Sequence, residues 1–222
     1  MSTVLKIDFV SDVACPWCAV GLHSLDEALR RTAGVVDADI AFQPFELNPD
    51  MPAGGVNHDE HLAGKFGTTP EQVAEGSAPL RARAASVGFA FNVSARSRIY
   101  NTFDAHRLLH WAHTLGRQRE LKHALFKANF SDDVNIADAD ALVRIAEGVG
   151  VDAGQAREVL TSGRYAKEVR EAEKLWLSRG INSVPGIVIN GKWLISGGQP
   201  PEVFEQALRG IAAELSGHTG AP

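Results

Sequence analysis

The sequence predicts an α/β protein: a short mixed sheet with helices on both faces, its two halves separated by a large helical block. Three observations predict it. The apolar run Val4-Leu5-Lys6-Ile7-Asp8-Phe9-Val10 leads into Cys15-Pro16-Trp17-Cys18 and from there into a helical pattern. Helical periodicity then dominates the middle of the chain. Near the C-terminus, two apolar runs at 181–189 and 192–195 flank Asn190-Gly191, the strongest short-range hairpin signal.

Taken in order, residues 19–31 read as a helix because Val20, Leu22, Leu25, Ala28 and Leu29 form an apolar stripe at helical spacing. Gly34 ends it, and residues 36–42 alternate as a strand does. Pro44 confines ladder pairing there to an edge or a strand end. Pro49, Pro52, Gly54 and Gly55 mark a boundary loop. Thr69-Pro70-Glu71-Gln72 combines an N-cap, a first-turn proline and a capping-box glutamine, opening a helix expected to reach about Ser86. Residues 89–93 read as a short extended piece. Further helices are expected over 101–115, 118–130, 138–149, 152–160 and 165–178, with Pro201-Glu202 opening a last one that ends near Leu215. A short low-complexity tail follows Ser216. This order assigns residues 1–48 to the first half of a core domain, 49–161 to a helical insertion and 162–222 to the second half.

Composition narrows the function. A net charge of −5 leaves no basic footprint for nucleic acid or an anionic membrane. No stretch approaches the ~20 apolar residues of a membrane span, and Met1 to Asp8 lacks the basic start of a signal peptide. A cytoplasmic location is therefore expected, where a lone cysteine pair is catalytic more often than structural.

That pair, Cys15 and Cys18, comprises the only 2 cysteines of the chain, placed where a strand turns into a helix. Free N–H groups and the positive end of the helix dipole favour a thiolate there, so Cys15 is expected to be the nucleophile. Pro16 suits the first helical turn, which needs no N–H. Cys18, nearly one turn on, lies within reach of the first sulfur. Two other readings compete. Structural zinc needs four ligands, and no second Cys pair exists; His23 could assist only if another chain supplied the rest. Alternatively, the cysteines are inert core residues. The strand–CPxC–helix context favours redox chemistry over both.

The stretches Ser11-Asp12-Val13-Ala14-Cys15-Pro16-Trp17-Cys18, Asn101-Thr102-Phe103-Asp104-Ala105-His106-Arg107-Leu108, Ser183-Val184-Pro185 and Ile195-Ser196-Gly197-Gly198-Gln199-Pro200 resemble the DsbA family, and within it the FrnE subfamily with CPWC. The resemblance spans nearly the whole chain. It implies a thioredoxin fold with a large all-α domain inserted between its two halves. The family is also related to kappa-class glutathione transferases and 2-hydroxychromene-2-carboxylate isomerases, which usually carry Ser at the position of Cys15.

The resemblance further implies a cis Pro185 facing the cysteines, with Val184 offering backbone groups to a substrate strand. From the residues alone, a trans proline starting a strand would be expected. Ser183 and Gly186 depart from the family's usual Gly-Val-Pro-Thr-Phe, which leaves substrate identity open. Trp17 replaces the thiolate-stabilising His of strongly oxidising relatives and favours reductase or isomerase work; it also suits a partly exposed groove wall. Asp8 is a candidate for the acid that in relatives lies beneath the thiols, or else a solvated strand-end carboxylate. Asn101 and His106, on a helix that covers the active site in the family, are candidates for substrate contact. His106, His110 and His113 share a helix face, an arrangement more often solvated than metal-binding. His58 and His61 fall in the boundary loop.

A thiol–disulfide oxidoreductase of reductase or isomerase type is the expectation, acting on disulfide-containing proteins or small thiols as a monomer or homodimer. It needs no metal or organic cofactor, with glutathione a possible co-substrate. The alternatives are a glutathione-dependent isomerase or transferase for a small aromatic or polyketide-like molecule, and a redox-sensing or zinc-bridged binding module.

Overall fold

The computed structural model describes residues 2–52 and 54–218. The end of the C-terminal tail lies outside them. Strand β1 (Thr3–Ser11), helix α1 (Pro16–Arg31) and strand β2 (Val36–Pro44) form a parallel β–α–β unit. At the other end of the chain, β5 (Gly186–Ile189) and β6 (Trp193–Ser196) form the expected hairpin, followed by α10 (Pro201–His218). The sheet order is β2-β1-β5-β6, so β1 sits inside the sheet with Phe9 beside Phe42 on one neighbour and Ile187 on the other. Because β1 is flanked on both sides and covered on both faces, Leu5, Ile7, Phe9 and Val10 are all buried.

The two faces of β1 have different partners. Leu5, Ile7 and Phe9 pack with Cys15, Cys18, Leu22, Leu25 and, from α10, Phe204 and Leu208. Val10 turns the other way, onto Trp176, Ile181 and Val188. An exposed sheet edge invites foreign pairing. At Phe42 of β2 the Gln118 amide closes that edge, accepting from Phe42 N at 2.9 Å and donating to Phe42 O at 3.0 Å.

Between the halves lie β3 (Val56–Asn57), α2 (His58–Phe66), α3 (Pro70–Gly76), α4 (Ala78–Ser86), β4 (Arg98–Ile99), α5 (Phe103–Thr114), α6 (Gln118–Phe130), α7 (Ala139–Gly148) and α8 (Ala153–Ser162); α9 (Ala166–Ser178) then leads back to the sheet. Helices α5 to α8 build a second core from Leu108, Leu109, Leu121, Leu125, Leu142, Val159 and their neighbours. Val13, from the loop before the cysteines, is buried in that second core, so the active-site loop is anchored to the helical block as well as to the sheet.

Four local expectations need correction. The helix expected to run unbroken to Ser86 divides at Ser77, because Pro79 lacks an N–H and its ring crowds the preceding turn. His58 and His61 belong to helix α2 and not to a loop; Asn57 caps it by accepting from Glu60 N, and Gly67 ends it at φ 67°. Residues 89–93 form no strand: Arg81 donates to the Phe91 and Val93 carbonyls at 3.1 and 2.5 Å, while Phe89 and Phe91 pack against Phe130. The apolar run from Ile181 becomes a strand only at Gly186, because its first residues close the end of α9, Ile181 N donating to Trp176 O.

Candidate active site

Cys15 occupies the N-cap of α1 with extended backbone (φ −97°, ψ 111°), and Pro16 follows in the first turn. The helix begins here because Pro16 fixes a helical φ where no N–H is required, and the apolar stripe of α1 is drawn onto β1. Cys15 O accepts from Cys18 N and Ala19 N, the first intrahelical bonds. Its Sγ approaches the Val184 carbonyl at 3.7 Å. Only 5% of Cys15 is exposed, whereas Trp17 beside it is 42% exposed, so the entrance to the sulfur is edged by an open indole. Cys18 is fully buried and lies in the same core as Cys15. Burial pushes the Cys18 thiol well up, and the hydrogen bond and charge of Cys15 push in the same direction; the charge of Lys122 opposes them.

The Val184–Pro185 peptide is cis. Pro185 packs on α1 where Gly21 leaves room: a Cβ at Gly21 would lie 3.3 Å from Pro185 Cγ and 3.2 Å from Gly198 Cα. Gly198 is tighter still, since a Cβ there would come within 2.6 Å of the Trp17 carbonyl oxygen. Two glycines thus let the cysteine helix, the Pro185 loop and the turn after β6 meet backbone to backbone.

Below the cysteine loop lies Asp12, fully buried. It accepts from Ala14 N at 3.1 Å and Leu47 N at 2.7 Å, with His106 Nε2 at 3.5 Å. Burial alone would raise its pKa; the hydrogen bond and charge of His106, with the two backbone donors, outweigh that and hold Asp12 below its usual value. Asn129 of α6 donates to the Val13 carbonyl at 3.1 Å and fixes the same loop from the helical side.

The predicted residues divide accordingly. Cys15, Pro16, Trp17, Cys18, Val184 and Pro185 come together. His106 is buried and meets Asp12 and the Phe45 carbonyl (3.1 Å), so it supports the loop from within. Asn101 is likewise a brace: it donates to Pro49 O at 3.1 Å and accepts from Phe103 N at 2.9 Å at the start of α5. Asp8 is not beneath the thiols. Strand alternation turns it to the face opposite Ile7 and Phe9, where it accepts from Gln43 Nε2 at 2.6 Å, while Cys15 and Cys18 pack on the Phe9 face. His110 and His113 line a separate cleft of about 150 Å³ along β2, with His106 but neither cysteine on its wall.

Sequence reasoning missed Asp12, Asn129 and Lys122. Lys122 carried a readable signal: it falls in the buried stripe of α6 made by Gln118, Leu121, Leu125 and Phe126, where a charge is out of place. Asp12 and Asn129 had none, because their partners are backbone groups from distant segments. Among the described residues no cluster of His, Cys, Asp and Glu is arranged to hold a metal ion, and no helix is long and apolar enough to cross a membrane.

A cysteine pair at a helix start, opposed to a cis proline on a thioredoxin-type sheet with a helical insertion, can be compared with known proteins. The model of the DSBA-like thioredoxin domain matches residues 6–209. The chain belongs to this family. It is a DsbA-like oxidoreductase, similar to the probable DsbA oxidoreductase SCO1869 from Streptomyces coelicolor, with 36% identity, a TM-score of 0.87, and coverage of 95% of this chain and 91% of that one. The uncharacterized protein YwbO of Bacillus subtilis is 29% identical over 206 residues, covering 92% of this chain and 96% of its own. A 2-hydroxychromene-2-carboxylate isomerase shares the fold at a TM-score of 0.71 and 15% identity, over 97% of this chain and 100% of that one. The DsbA-like fold is thus common to proteins of different chemistry, and the site residues must decide between them.

Proposed function

We propose that this DsbA-like oxidoreductase reduces or reshuffles disulfides through the Cys15–Cys18 pair. The observation that carries the reading is a fully buried second thiol packed in the same core as a first that is 5% exposed beside the half-open indole of Trp17, its Sγ 3.7 Å from the Val184 carbonyl. Cys15, as thiolate, attacks one sulfur of a substrate disulfide and releases the other as a thiolate. Cys18 then attacks Cys15, the protein pair becomes a disulfide, and the substrate leaves as its second thiol, reduced by two electrons overall. The isomerase mode stops halfway, with the mixed disulfide resolved by another substrate thiol.

Trp17 between the cysteines supports the reducing direction, since it supplies no hydrogen-bond donor of the kind a His would. Val184 and Trp17 edge the opening and suit an extended peptide that pairs through its backbone. Glutathione or a thioredoxin-like protein would return the pair to the dithiol, and the reducing cytoplasm is the compartment in which a lone dithiol of this kind operates. Titration against glutathione buffers, with alkylation of the free thiols, tests the direction. A potential near that of thioredoxin, about −270 mV, supports the reading, and one near that of DsbA, about −120 mV, overturns it.

A further inference from the structure

The inference rests on the dithiol reading above and concerns what lies beneath Cys18. Lys122 is fully buried, and among the described residues its Nζ has no hydrogen-bond partner. The ammonium group lies 4.8 Å from the centre of the Phe126 ring, and that ring is part of the same core as both cysteines. The titratable groups whose charges act on Lys122 are Cys18 of α1, Asp12 of the loop before it and Cys15 at the N-cap, Asp12 being engaged in turn by His106. Burying an amine without a partner is strongly unfavourable once it is charged. A methionine would occupy the same slot of α6 without that cost. A buried cation kept against such a penalty, on a ring of the core that holds the resolving thiol and with its charge acting on that thiol, points to chemistry.

We propose that Lys122 takes up the proton Cys18 must lose to resolve the mixed disulfide, so that a helix of the inserted block supplies the base beneath the thiols. In that step the Cys18 S–H bond breaks and its proton passes to the neutral Lys122 amine. The Cys18 sulfur bonds to Cys15, and the bond from Cys15 to the substrate sulfur breaks. The substrate departs as a thiolate and takes a proton from water. Neutral amine with thiol, and ammonium with thiolate, carry the same total charge, so the transfer brings no net charge into the core. Burial supports the role by lowering the amine's pKa to about 8 despite the opposing charges of Cys18, Asp12 and Cys15, which leaves a neutral fraction available near neutral pH.

The test uses stopped-flow reaction of the reduced protein with 5,5′-dithiobis(2-nitrobenzoate). One thionitrobenzoate is released when Cys15 is captured and a second when Cys18 resolves the adduct. In Lys122→Met the first phase is expected within about twofold of wild type, while the second slows about tenfold or more at pH 7 and climbs steadily with pH, whereas the wild-type second phase levels off near pH 8. The thermal midpoint should be unchanged or raised, since an unpaired charge has been removed. A second phase within about twofold of wild type at every pH overturns the proposal. A wild-type protein with no second phase would instead overturn the dithiol reading itself. Should Lys122→Met fail to fold, the Lys122 titration followed by ¹³Cε chemical shift in wild type and Cys18→Ala decides: a moved midpoint supports the shared proton, and an identical one overturns it.

Discussion

Asp12 and His106 meet in the interior, Oδ1 to Nε2 at 3.5 Å, with side chains only 1% and 2% exposed. This contact joins the loop before Cys15 to helix α5, and the same carboxylate ties in Leu47 beyond β2. Removing the carboxylate in Asp12→Ala leaves the part-buried N–H groups of Ala14 and Leu47 without their acceptor and takes the charge away from His106, which keeps only the Phe45 carbonyl. A loss of about 2–4 kcal/mol in unfolding free energy is expected by urea denaturation. The sign of the pH dependence follows from the direction of the shift. A carboxylate whose folded pKa lies below its ordinary 3.8 adds stability that is fully present above that value and disappears as pH falls through the folded pKa. Wild type should therefore lose this part of its stability only below about pH 4, and Asp12→Asn should show a shallower acid transition.

Glu46 shows the reverse. Its side chain is 3% exposed and is bonded by Arg170. Burial pushes its pKa up to about 7; Arg170 pulls it down, and the charges of Glu173 and Asp12 add to the rise. A raised folded pKa means stability present below the unfolded value of 4.5 and lost as pH rises through about 7. The stability of Glu46→Gln relative to wild type should thus increase between pH 5 and pH 8, as read from thermal midpoints in matched buffers.

The two cysteines are separable by substitution. Cys15→Ser should lower disulfide reduction by about 100-fold or more, because the attacking sulfur is gone. Cys18→Ser should retain the capture step and accumulate a mixed disulfide with glutathione, visible by intact-protein mass spectrometry. Disulfide turnover should collapse in Cys18→Ser, whereas the glutathione-dependent isomerisation of a small substrate would survive it, which separates the two readings.

Gly198 tests the close meeting of the three active-site segments. An added Cβ within 2.6 Å of the Trp17 carbonyl must displace backbone. Gly198→Ala should cost about 1–3 kcal/mol of stability and slow disulfide turnover, while Gly210→Ala, with open space around it, should do neither.

Arg107 offers a prediction remote from the cysteines. Buried to 4% exposure, it donates to the Arg164, Leu160 and Val159 carbonyls and pairs with Asp104 at 2.7 Å. It therefore satisfies the C-terminal carbonyls of α8. Arg107→Met should lower stability by about 2–4 kcal/mol while leaving the rate of Cys15 alkylation in the folded protein unchanged.

How much of this was legible beforehand differs by kind of interaction. Helix α6 begins at Gln118 and ends at Phe130 as its periodicity predicts, and the Asn190-Gly191 turn sits between β5 and β6, because apolar spacing and turn chemistry are local properties. The break at Pro79 was also written locally and was overlooked. Lys122 could be noticed as a charge on an apolar stripe, but not assigned, since its meaning depends on which sulfur the stripe covers.

The sequence by itself determined the chemistry that is possible: two thiols two residues apart at a helix start, on an alternating strand and helix order that implies a mixed sheet with an insertion. Which groups surround those thiols was decided only in three dimensions. Asp8 and Lys122 are both ionisable residues within apolar runs, yet strand alternation sends the first to the far face and helix packing brings the charge of the second to bear on Cys18. The reason is physical. Periodicity fixes which side of an element a residue occupies, whereas the charges it meets depend on the packing of elements far apart in sequence.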